Sequence, residues 1–114
     1  MVDTLRNHFG TISAVNTEVA LTVANSGTIT ILSFTINNNT TTIDVVVDVY
    51  WDDNSNSNNQ KFLYKSLSIP AAATFEHVDK ITLDPNDVLY YNVTSNSSGS
   101  TAQVEGICSY LLQT

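Results

Sequence analysis

The stretch "WDDNSNSNN", residues 51–59, places oxygen-bearing side chains at Asp52, Asn54 and Asn56, the alternate spacing with which an EF-hand loop begins to wrap a calcium ion. The rest of that motif is missing. Ser57 stands where the loop needs glycine for its sharp turn, and Leu63 where it needs a bidentate glutamate. A looser calcium site would have to draw on Asp52 and Asp53; the preferred reading is a polar hairpin tip whose side chains bond their own backbone and water. Asp44 and Asp48 lie four apart, so on a strand they share a face but sit too far apart to share a proton. They read as acids that keep a sheet's outer face wet and discourage edge pairing. His77 has Glu76 and Asp79 beside it, yet adjacent strand side chains point to opposite faces, which serves a three-ligand metal site badly. The other histidine, His8, has nothing that places it near His77. A nucleophile elbow of the Gly-X-Ser-X-Gly type and a glycine-rich phosphate loop are both missing. Cys108, the lone cysteine, rules out an internal disulfide and a cysteine-based zinc site and reads as a small buried strand residue. The expectation is a protein that is not an enzyme, with no catalytic, cofactor-binding or metal-binding residues.

Aromatic side chains remain as candidates for recognition. Trp51, Tyr50, Phe62, Tyr64, Tyr90, Tyr91 and Tyr110 all fall in predicted strands. Trp51 shares its face with Ile43, Val45, Val47 and Val49 and is assigned to the core. Tyr50, and one of Tyr90 and Tyr91, are expected to be exposed, where they would suit a protein interface or a sugar-stacking platform equally well.

The elements that position these residues are strands. In "TIDVVVDVYW" apolar and polar residues alternate with period two, the signature of a half-buried strand. In "TITILSFTINN" Leu32, Phe34 and Ile36 are expected on one side, with no single pattern opposite them. Runs rich in β-branched and aromatic residues predict strands over 8–14, 18–24, 28–37, 42–51, 61–69, 74–83 with a break, 88–95 and 101–112. Turn signals separate them, among them "NNNT", "SNSSGS" and "DPND", where Pro85 suits the second position of a turn. About eight short strands with regular turns describe an all-β, two-sheet antiparallel β-sandwich, of jelly-roll or immunoglobulin-like type. Residues 11–114 form the single domain in this reading, and residues 1–10 an N-terminal arm, loose or with one turn of helix, that orders on binding.

Composition narrows the partners. The 114 residues carry a net charge of −7 with only four basic side chains, Arg6, Lys61, Lys65 and Lys80. Nucleic-acid binding needs clustered cations, so no nucleic-acid partner is expected; the same sparsity argues against an anionic membrane surface. No apolar run approaches the length of about 20 residues that a membrane-spanning helix needs. The start "MVDTLRNHFG" lacks the apolar core of a signal peptide, which points to synthesis in a cytoplasm. Charged residues make up only 13%, while Asn, Ser and Thr supply roughly a third of the chain, so the solvent face is built from uncharged hydrogen-bonding groups. Sequons at Asn38, Asn39, Asn92 and Asn96 follow from that abundance.

The order of pieces carries a resemblance. Residues 15–51, then 62–95 with "SIPAAA" and "KITLDPND", then 103–113 resemble the small single-domain β-sandwich proteins of tailed-bacteriophage virions, of the capsid decoration and neck type. The matching pieces are Ile69, Pro70 and Ala71, then Lys80, Ile81, Leu83 and Asp87; Ala72 and Asn86 stand where the similar proteins commonly have glycine. The resemblance implies a virion structural protein, made in the host cytoplasm, that reinforces contacts between neighbouring capsid or neck subunits. It names no site residues and is compatible with a homo-oligomer. The acidic balance suits a partner surface bearing Lys or Arg. A carbohydrate- or receptor-binding module of a fibre is the alternative.

Overall fold

The computed structural model describes residues 3–13, 16–23, 25–53, 59–96 and 103–114. Nine strands run through them: β1 (Asp3–Ile12), β2 (Glu18–Ala20), β3 (Thr28–Asn38), β4 (Val45–Asp53), β5 (Asn59–Ile69), β6 (Thr74–His77), β7 (Ile81–Leu83), β8 (Val88–Asn96) and β9 (Val104–Gln113). They form two antiparallel sheets. One has the order β1-β9-β3-β6, with β7 continuing β6 along the same edge of β3; the other has the order β2-β8-β4-β5. Among the described residues no helix is long and apolar enough to cross a membrane.

The pairings are symmetric about the middle of the chain. β1 pairs β9, β2 pairs β8, β3 pairs β6 and β7, and β4 pairs β5. The chain therefore has the connectivity of one long hairpin, its innermost described pair Asp53/Asn59, rolled so that successive strand pairs fall in opposite sheets. That connectivity is the jelly roll, one of the two sandwich types expected. The polar tip ends in the Asp53/Asn59 pair; residues 54–58 lie outside the described residues.

Two predicted features are corrected. Residues 3–10, expected as an arm or helical turn, belong to the sheet: β1 pairs β9 in unbroken register from Asp3/Gln113 to Ile12/Val104. The predicted face of β3 also changes phase. Ile29, Ile31, Phe34 and Ile36 are buried while Leu32 is only half-buried, because a bulge between Ile31 and Ser33 inserts one extra residue. The break between β6 and β7 faces this bulge.

The core fills the space between the sheets with Ile29, Ile31, Phe34, Ile36, Val45, Val47, Val49, Leu89, Tyr91, Val93, Cys108 and Tyr110, and Trp51 packs half-buried against it. Tyr91 crosses from β8 to the opposite sheet, where its hydroxyl donates to Gly10 O at 2.7 Å and Val104 O at 3.2 Å. Its ring lies over Gly106: a Cβ there would stand 2.6 Å from the Tyr91 ring and from Leu21. Asn38 provides a second tie between sheets. Its Nδ2 donates to the carbonyls of Ile43 at 2.7 Å, and of Ile69 and Pro70 at 3.2 Å, while its Oδ1 accepts from Thr40.

Both turns singled out by sequence have the same geometry. Ala73 N–H donates to Pro70 O, and Asp87 N–H to Asp84 O, each at 3.1 Å. The third residues, Ala72 and Asn86, have φ of 58° and 69°, as a type II turn requires. These are the two positions where glycine was the expected residue.

Three predictions follow from this packing. Gly106→Ala should destabilise by about 3 kcal/mol, and Tyr91→Phe by about 1–2 kcal/mol, in urea unfolding at constant m-value; equal stability of either variant would break the inter-sheet argument. Ala72→Gly, which relieves a left-handed alanine, should stabilise by about 1 kcal/mol, or roughly 4 °C in Tm. The third concerns pH. Burial pushes the Cys108 thiol up to about 12 from an ordinary 9.0 and pushes the Tyr91 phenol above the ordinary tyrosine range. The folded state thus holds these protons more tightly than the unfolded chain. Stability should be complete below pH 9 and fall as pH rises through 9 to 12, with Cys108→Ala removing the earliest part of the loss; a flat urea midpoint across that window would contradict it.

Candidate interaction surfaces

The structure gives the candidate catalytic carboxylates structural partners. β5 has an extra residue opposite Val47 and Val49, where Ser66 takes φ of 57°. The Ser66 N–H donates to Asp48 Oδ1 at 2.8 Å, so Asp48 caps the bulge. Asp44 Oδ1 accepts the Ala71 N–H at 2.9 Å and supports the Pro70–Ala73 turn. One acid thus serves a bulge in the β4–β5 pair, and the other the turn at its end.

His77 is buried, with its ring stacked 4.8 Å from Phe34 and its Nδ1 2.7 Å from the Tyr64 hydroxyl. Nε2 of the same ring is buried without a hydrogen-bond partner among the described residues. Glu76 and Asp79 are exposed, as strand alternation requires of Glu76. His8 lies on β1 opposite Cys108, at the far side of the same sheet from β6. No group of three His, Cys, Asp or Glu side chains suited to a metal ion occurs among the described residues.

The outer face of the β2-β8-β4-β5 sheet carries an aromatic row. Cross-strand pairing aligns Tyr90, Tyr50 and Phe62, with ring centroids 5.9 Å and 5.4 Å apart. Tyr50, expected to be exposed, is only 5% exposed. Its two aromatic neighbours cover its sides, and its hydroxyl donates to Glu18 Oε2 from β2. Burial, then Glu18, holds its phenol well above the ordinary range. Tyr90 is the half-buried member of its pair and Tyr91 the buried one; Phe62, 44% exposed, is the ring this face offers to solvent, with the Lys65 ammonium 4.8 Å from its centroid. Asp52 joins the row, its carboxyl raised by burial and by Glu18.

The outer face of the other sheet differs. Leu5 and Phe9 on β1 are 68% and 71% exposed, and Ile107 on β9 is 40% exposed. β1 is also an edge strand, and among the described residues no strand pairs its other side. The sequence reading missed this surface because it placed residues 1–10 outside the fold. The signal was present: Leu5, Asn7 and Phe9 alternate with Arg6 and His8, and Gly10 sits in a strand where a close approach leaves no room for a side chain.

No protein-family model matches the chain, and no curated protein matches it in sequence. Solved structures of similar fold do. A chain of the cyanophage Pam1 capsid asymmetric unit superposes with a TM-score of 0.57 at 12% identity, covering 97% of this chain and 86% of that one. A chain of the acid-stable capsid of Helicobacter pylori bacteriophage KHP30 gives 0.54 at 13% identity, covering 100% and 95%. A chain from Bacillus endospore appendages, described as disulfide-linked pili, gives 0.56 at 9% identity, covering 97% and 88%. At these identities the chain shares a fold with them.

Proposed function

We propose that this chain is a structural protein of a bacteriophage particle, which binds at the capsid or neck and reinforces contacts between neighbouring subunits without catalysing a reaction. The observation that carries the reading is the extent of the fold match. Two phage capsid chains, at 86% and 95% coverage of their own length, consist of little more than this jelly roll. A jelly roll of this size offers faces, edges and a hairpin tip, and in this chain the candidate reactive groups Asp44, Asp48 and His77 are engaged in holding the sheets.

The charge supports the same reading. With −7 spread over an otherwise uncharged polar skin, the domain is attracted to a basic subunit surface and repelled by other acidic ones, which favours specificity and encounter rate. Modest contacts suffice when many copies meet one lattice. A sugar platform is served less well. It needs flat exposed rings, whereas Tyr50 is buried and Phe62 and Tyr90 are inclined to it by 48° and 30°.

Quantitative mass spectrometry of purified particles tests the proposal. A capsid role predicts on the order of hundreds of copies per particle and a neck role about a dozen, as the symmetry of each location dictates. Absence from particles that are otherwise complete would reject it.

A further inference from the structure

The β1–β9 pair presents its outer face in rows. Leu5 stands opposite Leu111, Asn7 opposite Ser109, and Phe9 opposite Ile107. The Ser109 hydroxyl donates to Asn7 Oδ1 at 2.7 Å, so the middle row is a hydrogen-bonding one between two apolar rows. The open edge of β1 has few of the usual protections: Asp3 and Arg6 are its charges, its ten residues include no proline and no lysine, and no bulge interrupts its register.

We propose that a second copy of this chain docks on that edge, by antiparallel β1–β1 pairing about a two-fold axis at Asn7. Extending a sheet keeps outward side chains outward only when paired residues have the same parity. An axis at Asn7 meets that condition and overlaps residues 3–11 of both copies. It sets Leu5 against Phe9 of the partner subunit, and Phe9 against Leu5 of the partner subunit. Each apolar row then runs unbroken across four strands, from Leu111 and Leu5 into Phe9 of the partner subunit and Ile107 of the partner subunit. The middle row joins Ser109 and Asn7 to the partner's Asn7 and the partner's Ser109. Such directly opposed pairs are the units that stabilise a sheet.

Neighbouring registers are worse. Moving the axis to Arg6 sets Leu5 against asparagine, Phe9 against aspartate, and two arginines against each other. Moving it to His8 sets Phe9 against asparagine and Leu5 against threonine. The amide pair at the axis thus selects the register over its two neighbours, since moving the axis by one residue either way sets Asn7 against an apolar side chain, Leu5 or Phe9. Charge also favours a copy over a basic partner. β1 and β9 carry only Asp3 and Glu105 against Arg6, and the other acids of this −7 chain are carried by other segments. Two such faces meet without the repulsion that the chain's net charge would otherwise impose, and a basic partner would find little here to neutralise.

The inference goes beyond the virion reading and does not depend on it: a protein absent from particles could still pair, and a particle protein could fail to. Its test is a cross-linking register in the full chain. Directly opposed residues have Cα atoms about 4.5–5.5 Å apart, within disulfide reach, so Asn7→Cys should oxidise to a covalent dimer. Thr11→Cys should not, because its counterpart lies roughly 26 Å away along the pair. Cys108 is buried and does not compete. The unmodified protein should sediment as a dimer at about 100 μM, and Phe9→Lys, at an exposed position, should weaken association at least about tenfold, with Tm unchanged at dilutions where both proteins are monomeric. A monomer at that concentration, equal cross-linking of Thr11→Cys and Asn7→Cys, or a dimer indifferent to Phe9→Lys would each overturn the proposal.

Discussion

One phenol that crosses between the sheets sets the geometry on which the rest depends. Tyr91 belongs to β8, an inner strand of its sheet, and its ring lies over Gly106 of β9, an inner strand of the other. Sheets pack about 10 Å apart, and a side chain as long as tyrosine spans that distance only if nothing stands beneath it. Gly106 supplies the space. The hydroxyl then bonds carbonyls of two strands, Gly10 on β1 and Val104 on β9, so one side chain ties the edge strand β1 to the centre of the opposite sheet. Gly10 is opposite Gly106 in the ladder and is itself closed over by Val19, whose Cγ1 would overlap any Cβ placed there. The two glycines are therefore parts of one arrangement, a close approach of backbone and ring.

The acidic residues take their meaning from irregularities in the strands. A bulge leaves an N–H without a ladder partner, and an unmet amide costs more than an ordinary hydrogen bond contributes. Asp48 meets such an amide at Ser66, and Asp44 meets that of Ala71 in the turn that follows β5. Both sit where β4 faces the edge strand β5, which bends twice relative to it. Acids spaced four apart on a strand thus served a structural need two strands wide, and their spacing along the sequence had no bearing on proton sharing. Asn38 acts in a similar way: a single buried amide donates to the carbonyls of Ile43, which precedes β4, and of Ile69 and Pro70, where β5 ends.

Much of the fold was legible because period two is a strong signal when one face is buried. Val45, Val47 and Val49 alternate in sequence and lie fully buried, and the strand boundaries of β3, β4, β8 and β9 fall within a few residues of those read from alternation and turn residues. Phase was less legible than period. The bulge after Ile31 reverses the inward face of β3, and nothing in "TILSF" distinguishes an inserted residue from a substitution in the pattern. Burial of Tyr50 was hidden for a related reason: alternation assigns it to the outer face, correctly, but its cover comes from Tyr90, Phe62 and Glu18 on other strands. The surface at β1 was misread because a polar, short-looking opening resembles an arm until its partner strand, a hundred residues later, is known.

That distance has a physical consequence. Asp3 pairs with Gln113, the widest sequence separation of any ladder among the described residues. Formed alone, that ladder would cost about 4 kcal/mol of closure entropy by (3/2)RT ln n, whereas with β2 already paired to β8 only the connections beside that pair remain to be closed. The inner half of β1 offsets part of this through Ile12 and the Tyr91 bond at Gly10, while its outer half leaves Leu5 and Phe9 in water. The opposite edge strand β5 follows its neighbour β4 after only five residues of sequence, so its closure costs far less. β1 is therefore the strand whose pairing depends most on the rest of the fold, and it also bears Leu5 and Phe9, the most exposed large apolar side chains among the described residues. An intermolecular contact along β1 that formed only with the folded chain would stabilise the fold by mass action as well as hold the assembly.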